Sequence, residues 1–145
     1  MGDISKDIQS SFPSEKIKAL INIKYTASWL NKNEVSFFKP YGISPQQFNI
    51  LRILRGAKEA IKVQLVKERM IEQSPNATRL MDKLLDKALI ERYRCEHDRR
   101  VVYVNISEKG KLLLLEIDKA EKPGFLKTIT DAEAKVLNEI LDKIR

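Results

Sequence analysis

The sequence predicts a mainly helical α+β fold with one small β-hairpin, and three observations support this class. Apolar residues recur at helical spacing through most of the 145 residues. Helix-capping signals occur at Ser14, Ser44 and Thr130. Two short runs of β-branched and aromatic residues, Leu89–Cys95 and Val101–Ile106, flank a polar stretch, which is typical of a hairpin.

The first half of the chain is expected to be helical. Residues 1–13 are expected to be a polar lead, and Ser14 can cap a helix that starts near Glu15 and closes at Phe37 and Phe38. Ser44-Pro45-Gln46-Gln47 is a strong start for a second helix, because Ser44 and Gln47 can form a capping box around Pro at the first position. A short third helix is expected from about Val63 to Met70, with Leu65, Val66 and Met70 buried.

A fourth helix is expected from Ser74 to Lys87, capped by Ser74-Pro75. Leu80, Met81, Leu84, Leu85 and Ala88 would face inward. Its outward positions include Asn, Thr and Arg, which can bond base edges or phosphates in a DNA major groove. A solvated surface helix would have the same polar face, so this helix alone does not establish DNA binding.

The polar stretch of the hairpin carries Asp98-Arg99-Arg100 directly after this helix. A helix able to enter a major groove, followed by a ribbon with arginines at its tip, describes a winged helix-turn-helix. Arg99 is the favoured minor-groove residue, since narrow grooves attract arginine. Arg100 begins the returning strand and is expected to be partly structural. Asp98 is expected to cap the turn or pair with an arginine.

Two more helices complete the chain. Ser107-Glu108-Lys109-Gly110 opens a helix to about Lys119, which Lys122-Pro123-Gly124 ends or interrupts. Thr130–Glu133 is a second capping box, leading into a helix with one apolar face. The helices at both chain ends carry more apolar residues than a small core needs.

Composition restricts the function. The formal charge of +7 suits an anionic partner, but residues 61–109 carry only eleven basic against eight acidic residues, so the case rests on arrangement. A lone Cys95 and a lone His97 support neither catalysis nor a metal site, and we expect no cofactor and no enzyme activity. Cys95 is interpreted as a small residue without a redox role. Without a signal peptide or membrane span, a cytoplasmic protein is expected.

The stretch from Ser44 to Gly110 resembles the winged helix-turn-helix core of the MarR (multiple antibiotic resistance regulator) family. The matching pieces are QFNILRIL at Gln47–Leu54, SPNATRLMDKLLDKALIER at Ser74–Arg92 and DRRVVYVNISEKG at Asp98–Gly110. The resemblance implies a homodimeric transcriptional regulator, usually a repressor, that binds a pseudo-palindromic operator. It implies dimerisation regions at residues 1–43 and 110–145 around a DNA-binding domain at residues 44–109.

The resemblance also implies site residues. The implied DNA contacts are Ser74, Asn76, Thr78, Arg79, Lys83, Asp98, Arg99 and Arg100. Ala88 stands where many members have Gly, and because Ala is disfavoured in a left-handed cap, the helix is expected to end differently here.

Family members often bind small aromatic or phenolic ligands between the dimerisation helices and the DNA-binding core. Tyr25, Trp29, Phe38 and Tyr41, together with Phe37, are candidates for such a pocket, and packing in the core or the dimer seam is the alternative. The rival interpretation of the whole chain is a winged-helix module that binds protein without specific DNA binding.

Overall fold

The computed structural model describes residues 2–121 and 123–145 and confirms the α+β class. A three-stranded antiparallel sheet lies among the helices, and two 3-10 turns occupy Lys39–Tyr41 and Gly124–Lys127. The helices are α1 (Ile4–Asp7), α2 (Glu15–Phe38), α3 (Pro45–Ala57), α4 (Val63–Arg69), α5 (Ala77–Asp86), α6 (Glu108–Lys119) and α7 (Asp131–Ile144), and the strands are β1 (Ile61–Lys62), β2 (Ile90–Arg94) and β3 (Val102–Ile106).

One hydrophobic core joins α3, α4, α5, α6 and the sheet. Each burial of a Leu, Ile, Val or Met side chain in this core is worth about 1.5–3 kcal/mol relative to exposure. The core therefore holds α5 and the β2–β3 hairpin as parts of one unit. Its largest fully buried side chains are Ile50, Leu51, Leu54, Val66, Met81, Leu84, Ile90, Val104 and Leu114.

The capping signals predicted at Ser14, Ser44 and Thr130 are confirmed. The Ser44 hydroxyl accepts the Gln47 N–H at 3.1 Å, and the Gln47 side chain accepts the Ser44 N–H at 3.0 Å. Thr130 and Glu133 form the same reciprocal box at the start of α7. The bond from the Thr130 N–H lowers the pKa of Glu133, because it stabilises the charged carboxylate.

The sheet contains one strand that was not predicted. Strand β3 lies between β2 and β1, and β1 pairs through Ile61 with Val104 and through Lys62 with Tyr103. A strand of two residues is too short for an alternating apolar and polar pattern to be recognised in the sequence. The pairing places Lys62 beside Tyr103, near the turn end of the hairpin.

Several expectations were wrong. The N-terminal lead contains α1, with Ile4 buried. Helix α5 begins at Ala77, since the Ser74 hydroxyl accepts the Asn76 N–H (3.1 Å) in a turn before the helix and does not cap it. Leu65 is only half-buried.

Ala88 is the clearest correction. It is exposed rather than inward, and its φ of 58° is left-handed. The segment after α5 thus adopts the left-handed conformation that its Cβ was expected to prevent. Hydrogen bonds hold it there, because the Ala88 N–H donates to the Leu85 carbonyl and the Ala88 carbonyl accepts the Ser107 hydroxyl.

Helix α6 ends at Lys119, and the Lys122 of the predicted break lies outside the described residues. Across the part of the chain that the structure describes, none of the helices combines the length and apolar character needed to cross a bilayer.

Candidate nucleic-acid interface

We call the β2–β3 hairpin the wing. A concave groove of about 700 Å³ separates the wing from α5 and the start of α4. Thr78 and Met81 of α5 form part of one wall. Concave surfaces that carry charge of one sign attract a polyanion. Five basic side chains line the groove against one acidic side chain: Lys62, Lys67, Arg92, Arg94 and Arg100 against Asp82.

Two of the groove arginines have carboxylate partners. Arg92 on β2 lies 2.5 Å from Asp82 on α5, so this ion pair joins the wing to the helix. Arg100 donates through Nε to Asp98 at 3.2 Å. By contrast, no carboxylate of the described residues lies within ion-pair distance of the remaining three cations, whose charge faces the groove uncompensated: Lys62, Lys67 and Arg94.

Asp98 shapes the turn of the wing in both of the predicted ways. Its carboxylate accepts the Arg100 N–H at 3.0 Å as well as the Arg100 side chain, and its carbonyl accepts the Val101 N–H at 3.0 Å. The Cys95 N–H donates to the Val101 carbonyl at 2.9 Å and closes the ribbon. Arg99 is exposed at the tip and forms no ion pair with a described residue.

The predicted contacts of the helix surround the groove. Thr78 lines it, and Arg79 and Lys83 are exposed on α5. Asn76 is exposed just before the helix. Ser74 is half-buried beside a smaller cavity of about 260 Å³ that Lys67 also borders.

Sequence reasoning missed Lys62, Lys67, Arg92 and Arg94. Arg94 could have been found, because Arg92 and Arg94 are two residues apart on a strand and side chains at that spacing share a face. Lys62 could not, since its position depends on the unpredicted β1. Lys67 had no distinguishing local signal within a short polar helix.

The four candidate ligand residues do not line one pocket. Phe38 is buried and borders a cavity of about 480 Å³, together with Phe37 and Phe48, between α2, α3 and the end of α6. Tyr41 borders a different cavity of about 440 Å³. Tyr25 and Trp29 lie on the exposed surface of α2.

The fold and the basic groove define a winged helix-turn-helix DNA-binding protein. Residues 35–117 match the family model described as transcriptional regulator SarA/Rot. The chain therefore belongs to this family of transcriptional regulators, and its fold is that of MarR.

Two relatives from Bacillus subtilis (strain 168) are also HTH-type transcriptional regulators. YpoP, itself described as uncharacterized, is 30% identical over 118 residues, which cover 78% of this chain and 82% of YpoP. MhqR is 25% identical over 133 residues, which cover 90% and 91% of the two chains. These similarities identify a transcriptional regulator rather than a winged-helix module that only binds protein.

Solved structures show the same fold. A mutant MarR from E. coli complexed with operator DNA has a TM-score of 0.78 and 23% identity, covering 93% of this chain and 99% of that chain. The MarR transcription factor from Planctomyces limnophilus has a TM-score of 0.70 and 27% identity, with 92% and 98% coverage.

Proposed function

We propose that this regulator binds a pseudo-palindromic operator as a homodimer. Each subunit would insert α5 into a major groove and Arg99 into the flanking minor groove. The observation that carries the proposal is the basic groove between α5 and the wing. Its uncompensated cations lie where the phosphate backbone between the two DNA grooves would pass.

The positions of the polar residues support separate roles. Asn76, Thr78, Arg79 and Lys83 would contact base edges or phosphates from the α5 side. Ser74, in the preceding turn, would contact a phosphate. On the wing, Asp98 would act indirectly by holding Arg100, whereas the unpaired Arg99 can extend away from the turn.

The dimer is proposed because the terminal helices expose apolar surface that a soluble chain would otherwise cover. All side chains of α7 are exposed or half-buried, and four apolar ones are 46–63% exposed: Val136, Leu137, Ile140 and Ile144. Helix α2 also exposes apolar residues, among them Ile17, Leu20, Tyr25 and Trp29. A second copy of the chain supplies a matching face around a two-fold axis.

We also propose that a small aromatic acid is the signal and that it binds beside Phe38. The cavity there has aromatic walls and two cations, Arg52 and Arg55, and the Arg52 guanidinium carbon lies 5.9 Å from the Phe48 ring centroid. The neighbouring Arg55 is already paired with Asp118 at 2.6 Å. Titration with 4-hydroxybenzoate should give binding that Arg52→Gln weakens, whereas equal binding to both proteins would contradict this site.

Hydroxyl-radical footprinting of the purified protein on its own upstream DNA tests the proposed function. We expect two protected half-sites whose centres are about 34 Å, or one helical turn, apart, with protection lost steeply as salt rises. A single protected patch would contradict the dimeric arrangement. Weak binding that is insensitive to salt would contradict operator binding through phosphate contacts.

A further inference from the structure

The C-cap residue of α5 and the two residues after it are held by the start of α6 through hydrogen bonds to three consecutive carbonyls. Lys109 Nζ donates to the Lys87 carbonyl at 2.9 Å, and the Ser107 hydroxyl donates to the Ala88 carbonyl at 2.6 Å. The Ser107 N–H donates to the Leu89 carbonyl at 3.1 Å. The last carbonyls of a helix lack intrahelical donors and carry partial negative charge, so a cation there is favourable.

The same end of α5 is joined to the end of α2. Lys87 is the C-cap residue of α5, and its ammonium group donates to the carbonyl of Gly42. Gly42 ends the 3-10 turn that follows α2, with a φ of 70°. Two lysines therefore join the end of α5 to both the start of α6 and the end of α2.

We propose that Lys87 and Lys109 are positioning residues for operator binding, an inference that rests on the proposed function. Residues 87–89 connect α5 directly to β2, so the bonds that hold this segment also set the angle between the helix and the wing. Neither ammonium group lines the basic groove; both border the cavity beside Tyr41. They act on DNA binding through α5 and not through a phosphate.

The test compares Lys109→Met and Lys87→Met with Lys119→Met in the full chain. Lys119 is exposed on α6, and its side chain forms no hydrogen bond or ion pair with a described residue. The Lys119→Met variant therefore removes the same charge without removing a side-chain hydrogen bond. The measured quantities are the Kd for the operator, the Kd for random DNA, and the slope of log affinity against log salt. We expect operator affinity to fall by about three- to ten-fold, the range for one hydrogen bond. Random-DNA affinity and the salt slope should match those of Lys119→Met.

Two results would overturn the proposal. One is operator binding by both lysine variants that equals that of Lys119→Met. The other is a salt slope reduced by about one, which identifies a phosphate contact. Lys109→Arg keeps the donor and should retain wild-type affinity even if Lys109→Met folds poorly, and a loss in Lys109→Arg would also contradict the proposal. A wild-type protein without specific operator binding would instead refute the proposed function itself.

Discussion

The two adjacent arginines of the wing have different surroundings. Arg100 is held by the Asp98 carboxylate, whereas Arg99 is exposed and unpaired among the described residues. Because the bond to Asp98 restrains the Arg100 side chain near the turn, the unrestrained Arg99 is the better candidate for the minor groove. This assignment agrees with the preference made from the sequence, but the contact itself stays a prediction.

Arg99→Ala should weaken operator binding by about 1–3 kcal/mol, because it removes a specific groove contact. The Kd measured by fluorescence anisotropy at fixed salt checks this value. Lys119→Ala, which removes one exposed positive charge from α6, is the control and should change the Kd far less. Equal Kd values for wild type and Arg99→Ala would remove Arg99 from the mechanism.

The left-handed Ala88 gives a second prediction at the residue scale. The left-handed conformation costs Ala roughly 1–2 kcal/mol, whereas Gly adopts it without this cost. Gly lowers the free energy of unfolding by about 0.4–1 kcal/mol for another reason, because it makes the unfolded chain more flexible. Ala88→Gly should therefore raise the free energy of unfolding by about 0.5–1 kcal/mol, measured by urea denaturation at one protein concentration.

The matched control for Ala88→Gly is Ala27→Gly, within the regular helix α2. It should lower the free energy of unfolding by about 0.5–1 kcal/mol. Destabilisation by both glycines would show that the backbone at Ala88 is not strained.

At the scale of elements, the Ser107–Gly110 segment determines how closely the start of α6 approaches the chain that follows α5. The Ser107 hydroxyl accepts the Gly110 N–H at 3.1 Å and caps α6 while also bonding the end of α5. A Cβ on Gly110 would lie 2.3 Å from the Leu89 carbonyl oxygen, closer than atoms can approach. The segment thus lets α6 begin directly against the chain between α5 and the wing.

Gly110→Ala should lower the free energy of unfolding by about 3 kcal/mol or more, because the backbone on both sides must move. Urea denaturation followed by circular dichroism measures the change. Gly56→Ala is the control: a Cβ there meets no atom within 4 Å, and Ala is the better helix former in α3. Similar stability of Gly110→Ala and wild type would contradict the close approach of the two segments.

The elements that could be predicted from the sequence were those whose starts are determined by residues close by in the chain. The capped starts of α2, α3, α6 and α7 depend on neighbouring residues, so the sequence contains the information that determines them. Strand β1 and the place of Lys62 in the groove depend on pairing with β3, some forty residues later. The conformation of Ala88 was mispredicted for the same reason, since the contacts that hold it come from Ser107.

At the scale of the whole molecule, the proposed dimer would bury the exposed apolar face of α7. Ile140→Glu places a charge on this face, and we expect it to shift the protein from dimer to monomer in analytical ultracentrifugation. Operator affinity should then fall by roughly a hundredfold or more, since two linked half-sites are no longer bound together.

Asn138→Glu adds the same charge to α7 outside the apolar set and is the control for Ile140→Glu. It should remain dimeric. A dimeric Ile140→Glu protein with full operator affinity would show that this face is not the interface.

The salt dependence of operator binding by the groove variant Lys62→Gln/Lys67→Gln/Arg94→Gln tests the central claim most directly. If DNA lies in the groove between α5 and the wing, each lost phosphate contact should reduce the slope of log affinity against log salt by about 0.9 per subunit. The account predicts weaker binding with a distinctly shallower slope than wild type. Wild-type affinity with an unchanged slope would contradict it, since DNA would then bind elsewhere on the molecule.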